Sequence, residues 1–179
     1  MTTVPLVPAA WLVELVNGYG SRPRAAAART EEPYPDLDRL ADLPEATALG
    51  EERLIGVADR LWPLFASADS PERTAVINDL LVRSRLTPYL DHEARTRWST
   101  SLNAPDKLVM AGCVTTLMEV VAHGGWRRIG TCEGEDCLDA HLALPGRSRR
   151  YCSTTCLNRA RIRSYRARRR QDPSVPTED

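Results

Sequence analysis

Apolar residues recur every three or four positions along most of the chain up to residue 123, and polar residues fill the positions between them. This period places the apolar side chains on one face of a helix, where they can be buried. It predicts long helices over residues 8–17, 45–66, 70–83 and 104–123, and a short helix over 36–43. Glycine and proline interrupt residues 19–35, which are expected to form a loop or, at most, a short alanine-rich helix.

Prolines and turn residues set the limits of these elements. Pro63 lies inside an apolar helical pattern, which predicts a kink or an early end of that helix. Ser70 followed by Pro71 is typical of an N-cap and the first helical position. Residues 85–99 lose the helical period, and their polar turn between apolar flanks predicts a β-hairpin. The expected fold is therefore mainly α, with a small β-hairpin in an N-terminal helical domain.

The 179-residue chain has a formal net charge of zero, but its charges are unevenly distributed. Residues 1–126 carry 12 basic and 17 acidic side chains, whereas residues 127–170 carry 12 arginines and four acids. A basic segment attached to an acidic body indicates a module that binds a polyanion. Length and charge together predict a helical domain over 1–126, a small basic module over 127–171 and a disordered tail over 172–179.

Four of the five cysteines form two close pairs within the basic module. Four residues separate Cys132 from Cys137, three separate Cys152 from Cys156, and an insert of fourteen residues joins the two pairs. Two such hooks can bring four thiolates around one tetrahedral Zn²⁺. The alternatives are two disulfides or four unrelated thiols, and the lack of a recognisable secretory signal disfavours them. One structural zinc per chain is the expected cofactor.

The basic module also has few large apolar side chains of its own, chiefly Leu138, Leu142 and Leu144. Such a small core cannot offset the entropy of ordering the chain, so metal binding must supply the folding energy. Without zinc the module is expected to lose its order while residues 1–126 stay folded.

Three runs lie in and after the second cysteine pair: Arg149-Arg150-Tyr151-Cys152-Ser153, Cys156-Leu157-Asn158-Arg159 and Tyr165-Arg166-Ala167-Arg168. Together they resemble the CGNR zinc-finger family. Leu157 stands where the name-giving motif has glycine, a change that affects the loop more than the metal ligand Cys156. Leu15 and Asn17 resemble the Leu-x-Asn helix that begins the family's N-terminal domain, which is of the ABATE type. The resemblance implies a helical N-terminal domain with a small hairpin, and the role of a bacterial DNA-binding transcription regulator.

Arginine dominates the segment that follows the insert, where Ser153 is expected to cap a helix that begins just after Cys152. Arginine can bind phosphate or the O6/N7 edge of guanine, and asparagine can pair with adenine. The candidate nucleic-acid contacts are Arg147, Arg149, Arg150, Asn158, Arg159, Arg161, Arg163, Arg166, Arg168, Arg169 and Arg170. We expect Asn158, Arg159, Arg163 and Arg166 to form the outer face of the helix, with the other helical arginines on its flanks.

The remaining reactive side chains do not form a recognisable catalytic pattern. Cys113 lies on an apolar helix face and is expected to be a core residue. His92 and His123 are expected at the surface, and His141 is expected to pack near the zinc ligands without binding the metal. A site closed by four cysteines has no open position for a substrate, so we expect a structural metal and no enzyme activity.

The leading hypothesis is a cytoplasmic transcription regulator that binds duplex DNA through its zinc module. One alternative is an RNA-binding module in which Trp126, Tyr151 and Tyr165 stack on unpaired bases. Another is a protein-interaction adaptor whose basic helix grips an acidic partner. A homodimer through the N-terminal domain and an unidentified small-molecule effector are further expectations. No apolar run approaches the length of a membrane span, so no membrane partner is expected.

Overall fold

The computed structural model describes residues 1–37, 49–143 and 149–171 of the chain. The helix predicted over 36–43, Arg147 and the tail predicted over 172–179 therefore lie wholly or mostly outside the described residues. Within them the chain is mainly helical with two small antiparallel sheets, which confirms the expected mixture of mostly α and a little β.

Six α-helices lie within the described residues: α1 (Ala9–Tyr19), α2 (Ser21–Ala26), α3 (Glu51–Ala66), α4 (Ser70–Arg83), α5 (Pro105–Ala122) and α6 (Thr154–Gln171). The strands are β1 (Thr2–Thr3), β2 (Leu86–Leu90), β3 (Thr96–Thr100), β4 (Ile129–Thr131) and β5 (Ala140–Leu142). A single 3₁₀ turn, Trp126–Arg128, joins α5 to β4. None of the described helices combines the length and hydropathy that crossing a bilayer requires.

Helix α3 is the centre of the body, because α1, α2, α4 and α5 all pack against it. The apolar stripes of these helices meet in one core, in which Leu12, Leu61 and Leu117 are completely buried. Burial of each such side chain contributes roughly 1.5–3 kcal/mol relative to leaving it in water. Cys113 is buried in the same core, and burial raises the pKa of its thiol, as expected of an unreactive core residue.

Pro63 does not end α3 early, which corrects one of the two outcomes predicted from sequence. The helix continues to Ala66, and the N–H of Ser67 donates to the carbonyl of Pro63. Leu64 and Phe65, which follow the proline, are fully buried, whereas Pro63 itself faces solvent. Burial of these two side chains therefore holds the last turn in place against the helix-breaking tendency of proline.

The start of α4 also differs from the prediction by one residue. Asp69 is the N-cap, Ser70 is already helical, and neither side chain caps the helix. Ser67 lies just upstream, where its hydroxyl accepts the N–H of Asp69 at 3.0 Å and donates to the carboxylate of Glu72. The polar cap is therefore built by Ser67, outside the helix and three residues before the N-cap that the sequence suggests.

The hairpin predicted over 85–99 is confirmed as β2 and β3, which pair antiparallel from Leu86↔Thr100 to Leu90↔Thr96. The sheet has the order β1-β3-β2, because the N-terminal strand β1 adds to the other edge of β3. This third strand was not predicted, since two residues are too short for an alternating pattern to be recognised.

Candidate metal centre and nucleic-acid interface

The first cysteine hook extends directly from the end of β4. The N–H of Cys132 donates to the carbonyl of Asp139 at 2.8 Å, so the insert returns alongside the strand. The N–H of Gly134 points at the sulfur of Cys132 at 3.4 Å, and Cys137 donates to the carbonyl of Gly134. Asp136 adopts a positive φ of 55° to close the turn. The sheet thus fixes the direction of the hook, and a backbone donor faces one thiolate.

The second hook is made by the start of α6. Ser153 caps this helix as predicted, because its hydroxyl accepts the N–H of Cys156 at 3.2 Å and its carbonyl accepts that of Leu157. Cys152 lies just before the cap and Cys156 in the first turn, so both sulfurs point to the same side. Leucine in place of the motif's glycine is compatible with this geometry, since Leu157 is already inside the helix.

The four sulfurs of Cys132, Cys137, Cys152 and Cys156 lie within 4.8 Å of one another. The sulfur of Cys152 is 3.7 Å from that of Cys137 and 3.6 Å from that of Cys156. A tetrahedron with Zn–S bonds of about 2.3 Å has edges of about 3.8 Å, whereas a disulfide requires about 2.05 Å. All four cysteines are free, so the disulfide alternative is wrong and the site fits a single tetrahedral metal.

Gly134 is a residue of this site that sequence reasoning missed. A Cβ at this position would lie 3.3 Å from the sulfur of Cys132 and 3.5–3.6 Å from the Cβ atoms of Cys137 and Cys156. Even alanine would therefore press against the sulfur of Cys132, which would have to shift by a few tenths of an ångström. The sequence carried one signal, namely a glycine at the second position after the first cysteine of a metal hook.

His141 lies outside the ligand cluster but inside the fold. It is buried on β5, and its ring packs over Gly130 on β4, where a Cβ would approach the ring to 3.2 Å. Burial lowers the pKa of His141, so the ring favours its neutral form. The four cysteines form the metal-binding group without it. His92 and His123 are both exposed.

The β4–β5 hairpin is fixed to the helical body as well as to the metal hooks. Asn17 of α1 donates to the carbonyl of Ala140 at 3.0 Å and accepts the N–H of the same residue at 2.6 Å. Arg73 of α4 donates to the carbonyls of Trp126 and Ile129 at 3.1 and 3.0 Å. Ile129 and Ala140 belong to the body's apolar core. Packing and hydrogen bonds therefore cross the boundary predicted between residues 126 and 127.

Acidic residues of the insert engage two of the candidate arginines. Arg150 donates to Glu133 at 2.7 Å, and this hydrogen bond holds the pKa of the Glu133 carboxyl below its usual range. Arg163 forms an ion pair with Glu135. Arg163 therefore faces the zinc hooks instead of the outer face expected for it, because the insert places a carboxylate beside that side of α6. Arg149 donates to the carbonyls of Tyr151 and Cys152 and so supports the second hook.

Most of the remaining arginines of α6 are exposed to solvent. Five of them are exposed and have no hydrogen-bond or ion-pair partner among the described residues: Arg159, Arg161, Arg166, Arg168 and Arg170. Arg169 lies over the ring of Tyr165, 5.7 Å from its centroid. Asn158 is exposed as well. Most of the residues predicted to contact nucleic acid therefore lie on α6 and are exposed.

Comparison with known proteins gives one result for this part of the chain. A family model described as CGNR zinc finger matches residues 128–169, whereas no curated protein matches the chain. The matched segment contains both hooks, the hairpin and nearly all of α6. With four sulfurs placed for one ion, residues 128–169 are a CGNR zinc finger built around a single structural Zn²⁺.

Proposed function

We propose that this protein is a DNA-binding transcription regulator in which the structural zinc orients α6 onto the DNA duplex. The observation that carries the proposal is the set of five exposed arginines on α6 that have no partner within the described chain. Cations left unpaired on one helix are typical of a surface that binds phosphate.

The zinc site gives this helix a fixed attachment. Cys156 lies in the first turn of α6, and Arg163 pairs with Glu135 about two turns further on. The hooks are in turn fixed to the body through the hairpin and Asn17. Beyond Arg163 the helix packs closely against no other described helix or strand. An 18-residue helix is about 27 Å long, enough to lie along a major groove.

The metal supplies structural rather than catalytic chemistry in this proposal. Four cysteine ligands complete a tetrahedral zinc shell, so no coordination position stays open for water or substrate. The zinc crosslinks the two hooks, while the chain's own residues bind and orient the nucleic acid. We therefore propose a binding protein and no enzyme.

The test is a titration of zinc-loaded protein against a mixed-sequence DNA duplex, followed by fluorescence anisotropy over a series of salt concentrations. If the five arginines each neutralise one phosphate, the logarithm of the binding constant falls with the logarithm of salt with a slope of about −4.5. Affinity that does not change with salt would contradict the proposal.

A second candidate function is binding of single-stranded RNA, and one observation favours it. Tyr165 is 52% exposed in the middle of the arginines, and aromatic rings in such a setting can stack on unpaired bases. Arg169 already covers this ring, however, which leaves a single face for a base. Competition between duplex DNA and single-stranded RNA of equal length separates the two functions, and we expect the duplex to win.

The helical body is proposed to regulate the finger by binding an effector or by dimerisation. Support comes from a groove of about 480 Å³ between α3 and α4, lined by Arg60, Val76, Leu80 and Arg83 among others. Asp79 also lines this groove and pairs with Arg83, so the apolar floor and Arg60 are the parts that suit a small organic anion. Thermal shift screening of such anions tests the effector role, and sedimentation at several protein concentrations tests dimerisation.

A further inference from the structure

The exposed side of α6 has a centre that differs from its flanks. Asn158, Ile162 and Tyr165 follow one another at intervals of four and three, which places them in one line along the helix. Ile162 is 51% exposed and Tyr165 is 52% exposed. Two large, partly apolar side chains therefore face solvent at the centre of the most basic element of the protein.

Arginines border this line on both sides. With 100° between successive residues, Arg159 and Arg166 fall on one side of the line, and Arg161 and Arg168 on the other. All four are exposed and have no partner within the described residues. The face thus consists of a central strip of Asn158, Ile162 and Tyr165, which Arg169 continues at its C-terminal end, between two rows of arginines.

This arrangement matches the cross-section of the DNA major groove. Base edges lie along the floor of the groove, and the phosphates of the two strands border it on either side. A helix that enters the groove with its central strip downward directs the flanking arginines at both backbones. The asparagine amide can pair with the N6 and N7 atoms of adenine, and an apolar side chain packs against the C5 methyl group of thymine.

We propose that Asn158 and Ile162 read A·T base pairs in the major groove, as the specificity-determining residues of this zinc finger. This inference rests on the proposed function, because it requires that α6 binds duplex DNA. It assigns the flanking arginines to affinity and the central strip to sequence preference.

Repulsion between arginines disfavours contact of this face of α6 with the same face of a second copy of the chain. Two α6 helices that paired through Ile162 and Tyr165 would bring four arginines of each copy against four of the other. Like charges placed together in this way are destabilising. Duplex DNA matches both features of the face, because its phosphates can pair with the arginines and the thymine methyl groups in its major groove can pack against Ile162.

The experiment begins with selection of bound sequences from random duplexes by the zinc-loaded protein, which should enrich A·T pairs. Each enriched thymine is then replaced by deoxyuridine, which removes only the C5 methyl group. Loss of one buried methyl contact should weaken binding about fourfold. In Ile162→Ala the same replacement should change affinity less than twofold, because the contact is already gone.

Two further variants complete the design. Asn158→Ala should relax the adenine preference while the salt slope stays as in the unmodified protein. Val82→Ala, at an apolar residue of α4 that is 77% exposed, should leave both the preference and the affinity unchanged. It controls for a general effect of removing surface apolar groups.

The outcomes separate this inference from the proposed function. Salt-dependent duplex binding that is equally tight to thymine and deoxyuridine, or an Ile162→Ala variant that still discriminates between them, would overturn the reading role of Ile162 only. Failure to bind any duplex would overturn the proposed function. Tighter binding to single-stranded RNA than to duplex DNA would also overturn the proposed function. The central strip would then be assigned to stacking on unpaired bases.

Discussion

The helical body and the zinc-anchored helix α6 use the same residue type in opposite ways. In the body, Arg24 and Arg73 are buried and donate to backbone carbonyls. Arg24 also lies 4.2 Å from the centroid of the Tyr34 ring. In α6, arginines such as Arg159 and Arg166 face solvent with no partner among the described residues. Arginine supports the fold in one region and is free for a ligand in the other.

The difference shows that burial and partners, and not the number of arginines, identify a binding surface. A buried guanidinium depends on acceptors within the protein, since a buried charge without them is costly, and both Nη atoms of Arg73 find backbone carbonyls. Burial lowers the pKa of Arg73, which reflects that cost. Exposed guanidinium groups keep their donors for phosphate. Substitutions should therefore change folding in the body and binding in α6, and the following predictions test that division.

Removal of zinc should produce the largest effect. Structural zinc in small fingers contributes about 10–16 kcal/mol of apparent binding energy. When a chelator removes the zinc, both cysteine hooks and α6 should therefore unfold. The β4–β5 hairpin should stay on the body, because Ile129 and Ala140 are buried in the body core. We therefore expect only the hooks and α6 to lose order without metal, and not the whole module as predicted from the sequence. Circular dichroism should show a loss of helix, and hydrogen exchange should locate it in α6.

Cysteine variants provide the matched control for zinc removal. Cys137→Ser should reduce the zinc content well below one ion per chain. Cys113→Ser, in the core, should lower thermal stability but retain one zinc. A Cys137→Ser protein that still holds one zinc with full affinity would contradict the assignment of the ligand.

Arg73→Ala should have the next largest effect, and it should act on folding. The substitution removes donors from the carbonyls of Phe65, Trp126 and Ile129, which should cost about 3 kcal/mol of unfolding free energy. Urea denaturation measures this loss. Arg60→Ala, at an exposed arginine of the same body, should change stability by less than about 0.5 kcal/mol. Equal effects for the two variants would remove the distinction between buried and exposed arginines.

Asn17→Ala should have a smaller effect, located at the junction of body and finger. Both hydrogen bonds to Ala140 disappear, and their loss should cost about 2 kcal/mol. Hydrogen exchange of the Ala140 amide should speed up, while the zinc content stays at one per chain. Asn17→Asp keeps the acceptor and loses the donor, so we expect an intermediate exchange rate. An unchanged rate in Asn17→Ala would show that apolar packing alone holds the hairpin.

Substitution of free arginines should leave stability almost unchanged and act on binding. Arg159→Ala combined with Arg166→Ala should make the salt slope less steep by about 1.8, since each lost phosphate contact accounts for about 0.9. Arg163→Ala should change the slope less, because Arg163 is paired with Glu135. The same anisotropy titrations measure both variants, and a larger change in slope for Arg163→Ala would reverse the assignment of the two faces.

The sequence was most informative where spacing alone determines structure. The cysteine intervals predicted the metal cluster, Ser153 the cap of α6, and the loss of helical period the β2–β3 hairpin. The cap and the hairpin depend on residues close together in the chain, and the cluster depends on two short cysteine pairs whose spacing is typical of zinc sites. The ion pair that turns Arg163 inward could not be predicted, because Glu135 lies 28 residues away and only the folded hooks bring it beside α6.

The contact between the helical body and the zinc finger could not be predicted from sequence either, because it depends on residues far apart in the chain. Asn17 and Ala140 are 123 residues apart, and their backbone-to-side-chain pairing leaves no periodic pattern in the sequence. Ile129 lies within the predicted zinc module of residues 127–171, although its side chain packs in the body core. A boundary drawn from composition separates acidic from basic residues but does not detect a shared core.

The most direct test of the account is the response of individual arginine side chains to DNA. In the zinc-loaded protein labelled with ¹⁵N, the Nε–Hε resonances of Arg159, Arg161, Arg166 and Arg168 should shift when a duplex is added. Those of the buried Arg24 and Arg73 should not move. Shifts confined to arginines of the body, or no shift in α6 at a saturating duplex concentration, would contradict the claim that the zinc-anchored helix binds DNA.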